Sequence, residues 1–135
     1  MVKLIIGVKG TGKTKALISM VNEAAEKSNG TVVCIEKGVG LRFDVKYSAR
    51  LINTNEYLIF DAEALYGFVA GILASNHDVT DLFIDGALKI SNNDIVAFEA
   101  FLKEVDELTN KLDVNVVLTS SIPVEEASDL VKKYI

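Results

Sequence analysis

The chain contains few cysteines and prolines, and the low number of each excludes certain classes of protein. Its single cysteine, Cys34, cannot form an internal disulfide or a cysteine-based zinc site, and it favours a reducing compartment. One proline among 135 residues, with 50% of the residues apolar, excludes the composition of a disordered or low-complexity chain. This length predicts a single domain over residues 1–135.

Long hydrophobic runs are absent as well. The longest apolar stretch, residues 65–74, has about half of the ~20 residues that a membrane helix requires. At the amino terminus, Lys3 and Gly7 interrupt the apolar residues too early for a signal-peptide core. These absences predict a soluble, cytoplasmic protein without membrane insertion.

Basic residues are outnumbered overall but concentrated near the start of the chain. Fourteen Lys and Arg against nineteen Asp and Glu give a net charge of −5, which does not favour a nucleic acid as the main partner. Residues 1–60 nevertheless carry nine basic and five acidic side chains, whereas residues 61–135 carry five and fourteen. The basic half therefore offers the better place for an anionic ligand.

Short apolar runs alternate along the chain with segments of helical periodicity. The predicted strands are apolar and rich in β-branched residues, at 4–6, 31–35, 82–84 and 114–118, with a further short or edge strand at 50–52. The predicted helices cover 13–27, 94–111, a segment that Asp61 caps and that runs to about Asn76, and a last helix that Pro123 opens. This alternation predicts an α/β fold, a three-layer sandwich whose mainly parallel sheet is covered on both faces.

One segment between the first strand and the first helix carries a specific motif. Residues 7–14 fit the pattern G-x-x-x-x-G-K-[ST] at every specified position. Glycines allow successive N–H groups to turn towards a phosphate, and the positive end of the following helix points at the same place. Lys13 would bridge the β- and γ-phosphates, and the Thr14 hydroxyl would ligate Mg²⁺. We therefore predict an ATP and Mg²⁺ site formed by Gly7, Val8, Lys9, Gly10, Thr11, Gly12, Lys13 and Thr14.

This segment resembles the Walker A motif of the P-loop NTPase superfamily. The resemblance implies an acidic residue that ends another apolar strand, and Asp85 meets it as the Walker B residue that holds Mg²⁺ through water. Because strands intervene between the two motifs, the chain is similar to the RecA-like branch, in which these two strands are not neighbours. In that branch a polar residue at the end of the following strand senses the γ-phosphate. Thr119 and Ser120 occupy that position, unless their hydroxyls begin the next helix.

The chain departs from that branch where water is activated. Many RecA-like ATPases have a glutamate after the Walker B aspartate, but here the residue is Gly86. Some members place the catalytic glutamate at the end of a neighbouring strand, and Glu36 is in such a position. The alternative is an ordinary strand-end carboxylate that pairs with Lys37 or Lys9. The sequence thus leaves the enzymatic activity, that of a nucleoside triphosphatase, open.

Two other patterns bear on assembly and nucleotide choice. Arg42 and Arg50 are the only arginines, so an arginine that stabilises the transferred phosphate comes from one of them across a subunit interface or from a partner. The alternative is that both belong to a solvated loop. Residues 110–113 spell the N-K-x-D of GTPases, but they precede a strand and the D-x-x-G of that family is missing, which favours ATP over GTP.

Several functions agree with these residues. The first is an ATP- and Mg²⁺-binding P-loop protein, acting as a weak ATPase or a nucleotide-dependent switch. The alternatives are a small nucleoside or metabolite kinase resembling thymidine kinase, a subunit of a helicase-like or pilus-retraction-like motor, and an interaction module without turnover. The motor rests only on the basic residues 37–50. Since the length accommodates little beyond the nucleotide core, we expect a protein partner or a second copy of the chain.

Overall fold

A computed structural model describes all residues from Met1 to Ile135. Its regular elements alternate as the sequence predicts. The strands are β1 (Val2–Ile6), β2 (Thr31–Glu36), β3 (Arg50–Asn53), β4 (Val79–Ile84) and β5 (Asn115–Ser120). The helices are α1 (Lys13–Lys27), α2 (Ala62–Ser75), α3 (Ala87–Ile90), α4 (Ile95–Leu112) and α5 (Asp129–Lys132), with short 3₁₀ turns at Thr54–Tyr57 and Val124–Glu126.

The five strands form one sheet in the order β1-β5-β4-β2-β3, and every neighbouring pair is parallel. This confirms the predicted α/β sheet. Strand β5 separates β1 from β4, so the strand before the motif is not next to the strand that ends at Asp85. Because all strands run in the same direction, the segments that follow β1, β2, β4 and β5 meet at one edge of the sheet.

Helices cover both faces of the sheet. Strand β2 shows the division, because Val33 and Ile35 join the larger apolar core while Val32 and Cys34 join the smaller one. The larger core lies under α2 and α4, and the smaller one lies under α1. Each fully buried aliphatic or phenylalanine side chain stabilises the folded state by about 1.5–3 kcal/mol. The two apolar cores therefore hold in place the strand ends that surround the motif.

None of the helices combines the length and the apolar character that a bilayer crossing requires. The two long helices on the larger core begin at capping aspartates. Asp61 Oδ1 accepts a hydrogen bond from the Ala64 N–H at 2.7 Å, and Asp94 Oδ1 accepts one from the Ala97 N–H at 3.1 Å. The predicted cap at Asp61 is confirmed, and each cap satisfies one of the N–H groups that a helix start leaves free.

The single helix predicted after Pro123 is wrong. A 3₁₀ turn over Val124–Glu126 is followed by an extended residue, Ala127, and then by the separate helix α5. The physical reason is a second cap: the Ser128 hydroxyl accepts a hydrogen bond from the Val131 N–H at 3.2 Å and so starts a new helix. Helix α3 was not predicted, because four residues are too few to show helical periodicity.

Candidate functional site

The loop over residues 7–14 is folded tightly on itself. Gly7 is buried with φ of 152°, and a Cβ atom built there would lie 2.6 Å from Thr11 Oγ1. The carbonyl oxygen of Val8 accepts hydrogen bonds from Thr11 Oγ1 at 2.8 Å and from Lys13 Nζ at 3.0 Å. Glycine is therefore needed at position 7, and the two bonds to Val8 fix the curvature of the loop.

Helix α1 begins without the side-chain cap that α2 and α4 have. Gly12 precedes it in the left-handed conformation, with φ of 84°, and no acidic residue lies in the first turn. The first backbone bond of the helix runs from the Ala16 N–H to the Gly12 carbonyl at 3.0 Å. The N–H groups that precede Ala16 in the helix therefore have no partner in the helix, and together with the helix dipole they favour a negatively charged ligand.

Three of the predicted polar residues, from three different segments, meet at this helix start. The Thr14 hydroxyl lies 3.1 Å from Asp85 Oδ1 and 3.3 Å from Oδ2, and it donates to the carboxylate. Thr119 Oγ1 donates to Asp85 Oδ1 at 2.8 Å. Asp85 itself is fixed at the end of β4, where its N–H donates to the Ile35 carbonyl at 2.8 Å. The fold thus brings together residues that are 71 positions apart in sequence.

A pocket of about 420 Å³ lies around this group. Its lining is almost entirely polar and contains four lysines and one carboxylate, an excess of positive charge that suits a polyphosphate. Of the predicted loop residues, Gly7, Val8 and Thr11 shape the loop without lining the pocket. The lining residues are Lys9, Gly10, Gly12, Lys13, Thr14, Lys15, Asp85, Gly86, Leu88, Lys89, Asn93, Thr119 and Ser121.

A second concavity, of about 500 Å³, lies beside α1 and the sheet away from the motif. Met20, Ala24, Phe83 and Val117 are among its lining residues, and they give it a more apolar surface. It includes none of the predicted site residues. We assign the candidate site to the pocket at the motif, because only there do the predicted polar groups converge.

The side chains at the pocket suit a magnesium ion that arrives with a phosphate. Thr14 and Asp85 offer a hydroxyl and a carboxylate, and proteins commonly bind Mg²⁺ through one or two such groups together with substrate phosphates and water. No group of three or more His, Cys, Asp or Glu side chains that could hold a metal occurs in the structure.

Thr119 is buried, and its hydroxyl both donates and accepts a hydrogen bond. It donates to Asp85 and accepts a hydrogen bond from the Gly86 N–H at 2.9 Å. Beside it, the Ser120 hydroxyl accepts a bond from the Leu88 N–H at 3.2 Å. The end of β5 thus holds both the carboxylate and the start of α3. That Thr119 senses a γ-phosphate stays a prediction.

Glu36 ends β2 and is 5% exposed, but it does not line the pocket. Its carboxylate accepts hydrogen bonds from the Leu41 N–H at 3.1 and 3.3 Å, and neither Lys37 nor Lys9 forms an ion pair with it. Burial raises the pKa of Glu36, the bond from Leu41 opposes that rise, and the charge of Asp85 adds to it. In this arrangement Glu36 anchors the segment that follows β2. Its role in activating water stays a prediction.

Neither arginine lines the pocket of its own chain. Both arginines belong to the stretch from β2 into β3. Asn22 of α1 holds this stretch by two hydrogen bonds: its Nδ2 donates to the Asp44 carbonyl at 2.9 Å, and its Oδ1 accepts from the Lys46 N–H at 2.8 Å. The Arg42 guanidinium lies 4.8 Å from the centre of the exposed Phe43 ring. That Arg42 or Arg50 enters the pocket of a second copy of the chain therefore stays a prediction.

The GTPase-like tetrapeptide lies away from the pocket. Residues 110–113 end α4 and lead into the first residue of β5, which is at the opposite edge of the sheet from the motif. There Asn110 Nδ2 donates to Asp106 Oδ1 at 3.1 Å. This segment has the wrong position to contact a base bound with its phosphates at residues 7–14.

Six residues of the pocket lining were not predicted as site residues: Lys15, Gly86, Leu88, Lys89, Asn93 and Ser121. Lys89 and Asn93 lie on α3 and on the turn that follows it, a part of the chain that carries no recognised motif. One signal was available for Lys89: Ala87, Leu88 and Ile90 are apolar, which leaves Lys89 as the polar residue of that short segment.

Comparisons with known proteins bear on the fold. No protein-family model matches the sequence, and no curated protein shows significant similarity to it. Among solved structures, the chain is similar to the crystal structure of the KaiC-like protein PH0186 from the hyperthermophilic archaeon Pyrococcus horikoshii OT3. The TM-score is 0.70 at 16% identity, over 97% of this chain and 65% of that chain. The likeness confirms the predicted RecA-like α/β fold.

Proposed function

We propose that this chain binds ATP and Mg²⁺ at residues 7–14 and Asp85 and acts as a weak ATPase or a nucleotide-dependent switch. The observation that carries the proposal is the contact between Thr14 and Asp85, 3.1 Å long, beside a helix start that has no cap. A glycine-rich turn alone could serve a structural purpose. A hydroxyl and a carboxylate that converge at the same helix start are the groups that a magnesium-bound phosphate requires.

The proposed phosphate binding uses the backbone N–H groups at the start of α1 and the side chain of Lys13. The N–H groups at the start of α1 would contact the β-phosphate, and Lys13 would leave the Val8 carbonyl to contact the β- and γ-phosphates. Thr14 and Asp85 would hold Mg²⁺, which neutralises the charge on the β- and γ-phosphate oxygens. The pocket volume of about 420 Å³ lies within the range of small-molecule sites.

Slow turnover is part of the proposal. Asp85 is the only carboxylate that lines the pocket, and the residue after it is Gly86. Glu36, the other carboxylate at this edge, is engaged with the Leu41 N–H. Because a general base must reach the attacking water directly or through one other water, this arrangement favours slow hydrolysis. Slow hydrolysis suits a nucleotide-dependent switch. In such a switch, nucleotide exchange would change the contacts of Asp85, and through them the positions of Gly86 and α3.

A second candidate function is that of a subunit in an oligomeric motor. In this candidate, an exposed surface of the chain would contact a second copy or a polyanion. The stretch between β2 and β3 exposes Phe43 by 86% and Tyr47 fully, with Arg42, Lys46 and Arg50 around them. Aromatic rings and arginines are typical of interfaces and of single-stranded nucleic-acid sites. A single-chain mass in light scattering, together with no salt-dependent binding to single-stranded DNA, would reject this candidate.

The test of the proposed function is equilibrium binding of a non-hydrolysable ATP analogue, measured by calorimetry with Mg²⁺. We expect micromolar affinity for the unmodified chain, and Lys13→Ala should weaken it by at least about 100-fold, because Lys13 supplies a charge-assisted contact. Lys103→Ala, on the exposed side of α4, is the matched control and should bind normally. Absent or millimolar binding by the unmodified chain would overturn the proposal.

A further inference from the structure

One wall of the pocket is formed by α3 and the turn that follows it. Ala87 and Ile90 are buried in the larger core, whereas Lys89 is exposed and lines the pocket. Of the two residues between them, Leu88 is half-buried and packs against the same core, so Lys89 is the one that the helix exposes. Lys89 is thus held on the pocket side of α3.

The backbone that carries Lys89 is joined directly to the proposed magnesium ligand. The Gly86 N–H donates to Thr119 Oγ1 at 2.9 Å, and the same hydroxyl donates to Asp85 Oδ1 at 2.8 Å. The Leu88 N–H donates to the Ser120 hydroxyl at 3.2 Å. The two hydroxyls at the end of β5 therefore hold Asp85 and α3 in a fixed relative position.

The turn after α3 has an uncommon conformation beside the pocket. Asn92 and Asn93 are consecutive residues with left-handed backbone, at φ of 58° and 56°. The Asn93 N–H donates to the Leu88 carbonyl at 2.9 Å, which holds the turn, and Asn93 lines the pocket. Asparagine tolerates this conformation better than most residues, and such conformations concentrate at ligand sites. The turn thus fixes the position of Asn93 in the pocket wall.

Lys89 has no charged partner of its own. The ion pairs in the structure are Glu23–Lys27 and Glu26–Lys46, and Lys89 also donates no side-chain hydrogen bond. Both arginines lie outside the pocket. Lys89 is thus the pocket cation that comes from outside the loop and α1, and it follows Asp85 by four residues in the chain.

We propose that Lys89 contacts the terminal phosphate of the nucleotide from within the same chain. This inference rests on the proposed function, and it makes an arginine from a second copy or a partner unnecessary. Lys89 would stabilise the charge that grows on the phosphate oxygens while the bond from the γ-phosphorus to the bridging oxygen breaks and a water oxygen bonds to that phosphorus. The products are ADP, inorganic phosphate and a proton that leaves to solvent. Lys89 itself forms no covalent bond.

The test compares the affinities for ADP and for a non-hydrolysable ATP analogue, both with Mg²⁺, in the unmodified chain and in Lys89→Gln. The variant should bind ADP within about twofold of the unmodified chain, but its affinity for the analogue should fall about 10- to 100-fold, as expected for loss of one charge-assisted contact. Lys89→Arg should restore most of the preference for the triphosphate. Lys103→Gln is the matched control, and circular dichroism checks the fold of each variant.

Two further results separate this proposal from its alternatives. If hydrolysis occurs, its rate per chain should not depend on protein concentration, and the double variant Arg42→Ala/Arg50→Ala should keep it. An unchanged ratio of ADP to analogue affinity in Lys89→Gln, while the unmodified chain binds both, would overturn the role of Lys89 alone. Failure of the unmodified chain to bind either nucleotide would overturn the proposed function, and this inference with it.

Discussion

Replacing Thr119 by valine tests the hydrogen bonds that organise the site. Thr119 is 2% exposed, and valine keeps the shape of its side chain but removes the hydroxyl, which is bonded to both Asp85 and the Gly86 N–H. A buried N–H without an acceptor costs about 1–3 kcal/mol. The carboxylate also loses a donor, and water from the pocket replaces part of that bond, so this loss is about 1 kcal/mol. We expect Thr119→Val to lower the free energy of unfolding by about 2–4 kcal/mol.

Urea unfolding followed by circular dichroism measures this loss. With a slope of about 1–3 kcal/mol per molar urea, the midpoint should fall by about 1 M or more. Thr109→Val is the matched control, because Thr109 is equally buried, but its hydroxyl donates only to carbonyls of its own helix, such as that of Val105 at 2.7 Å. We expect that control to change stability by less than about 0.5 kcal/mol. Equal losses in the two variants would refute the reasoning.

Three more predictions concern pH, thiol reactivity and a helix cap. Burial raises the pKa of Glu36 in the folded state, so the folded state binds more protons than the unfolded state above about pH 4.5, and stability falls as the pH rises through that range. Glu36→Gln keeps an acceptor for the Leu41 N–H and removes this fall, so its urea midpoint should gain on that of the unmodified chain as the pH rises above about 4.5. A constant difference between the two midpoints would contradict this prediction. Burial raises the pKa of the Cys34 thiol to about 12, so a disulfide reagent should modify it only when the chain unfolds, and rapid labelling of the native protein would show otherwise. Ser128→Ala removes the cap on the Val131 N–H and should cost about 1 kcal/mol in the same urea assay, whereas no loss would argue against the cap.

The strands and long helices could be predicted because their signals are local. Apolar runs gave four of the strands, and helical spacing with capping residues such as Asp61 gave the long helices. Where the signal was a proline that could open a helix, prediction failed: the residues after Pro123 form two elements, because Ser128 starts a helix of its own. A serine in that position competes with helix continuation, and pattern alone does not show which interaction is stronger.

The candidate site divides in a similar way. Residues 7–14 are one continuous motif, so the loop was predictable, and the position of Asp85 followed from a strand end together with a resemblance. The contact of Thr119 with Asp85 and Gly86, and the place of Lys89 beside them, depend on the order of strands in the sheet. Strand order is set by long-range packing, which leaves no local pattern in the sequence.

The central claim is that Thr14 and Asp85 hold the magnesium ion of a bound nucleotide. The most direct measurement is the affinity for a non-hydrolysable ATP analogue with Mg²⁺ and with a chelator, in the unmodified chain and in Asp85→Asn. We predict that Mg²⁺ tightens binding by at least about tenfold in the unmodified chain and by less than about twofold in the variant. An equal effect of Mg²⁺ in both proteins, or no nucleotide binding by the unmodified chain, would contradict the account.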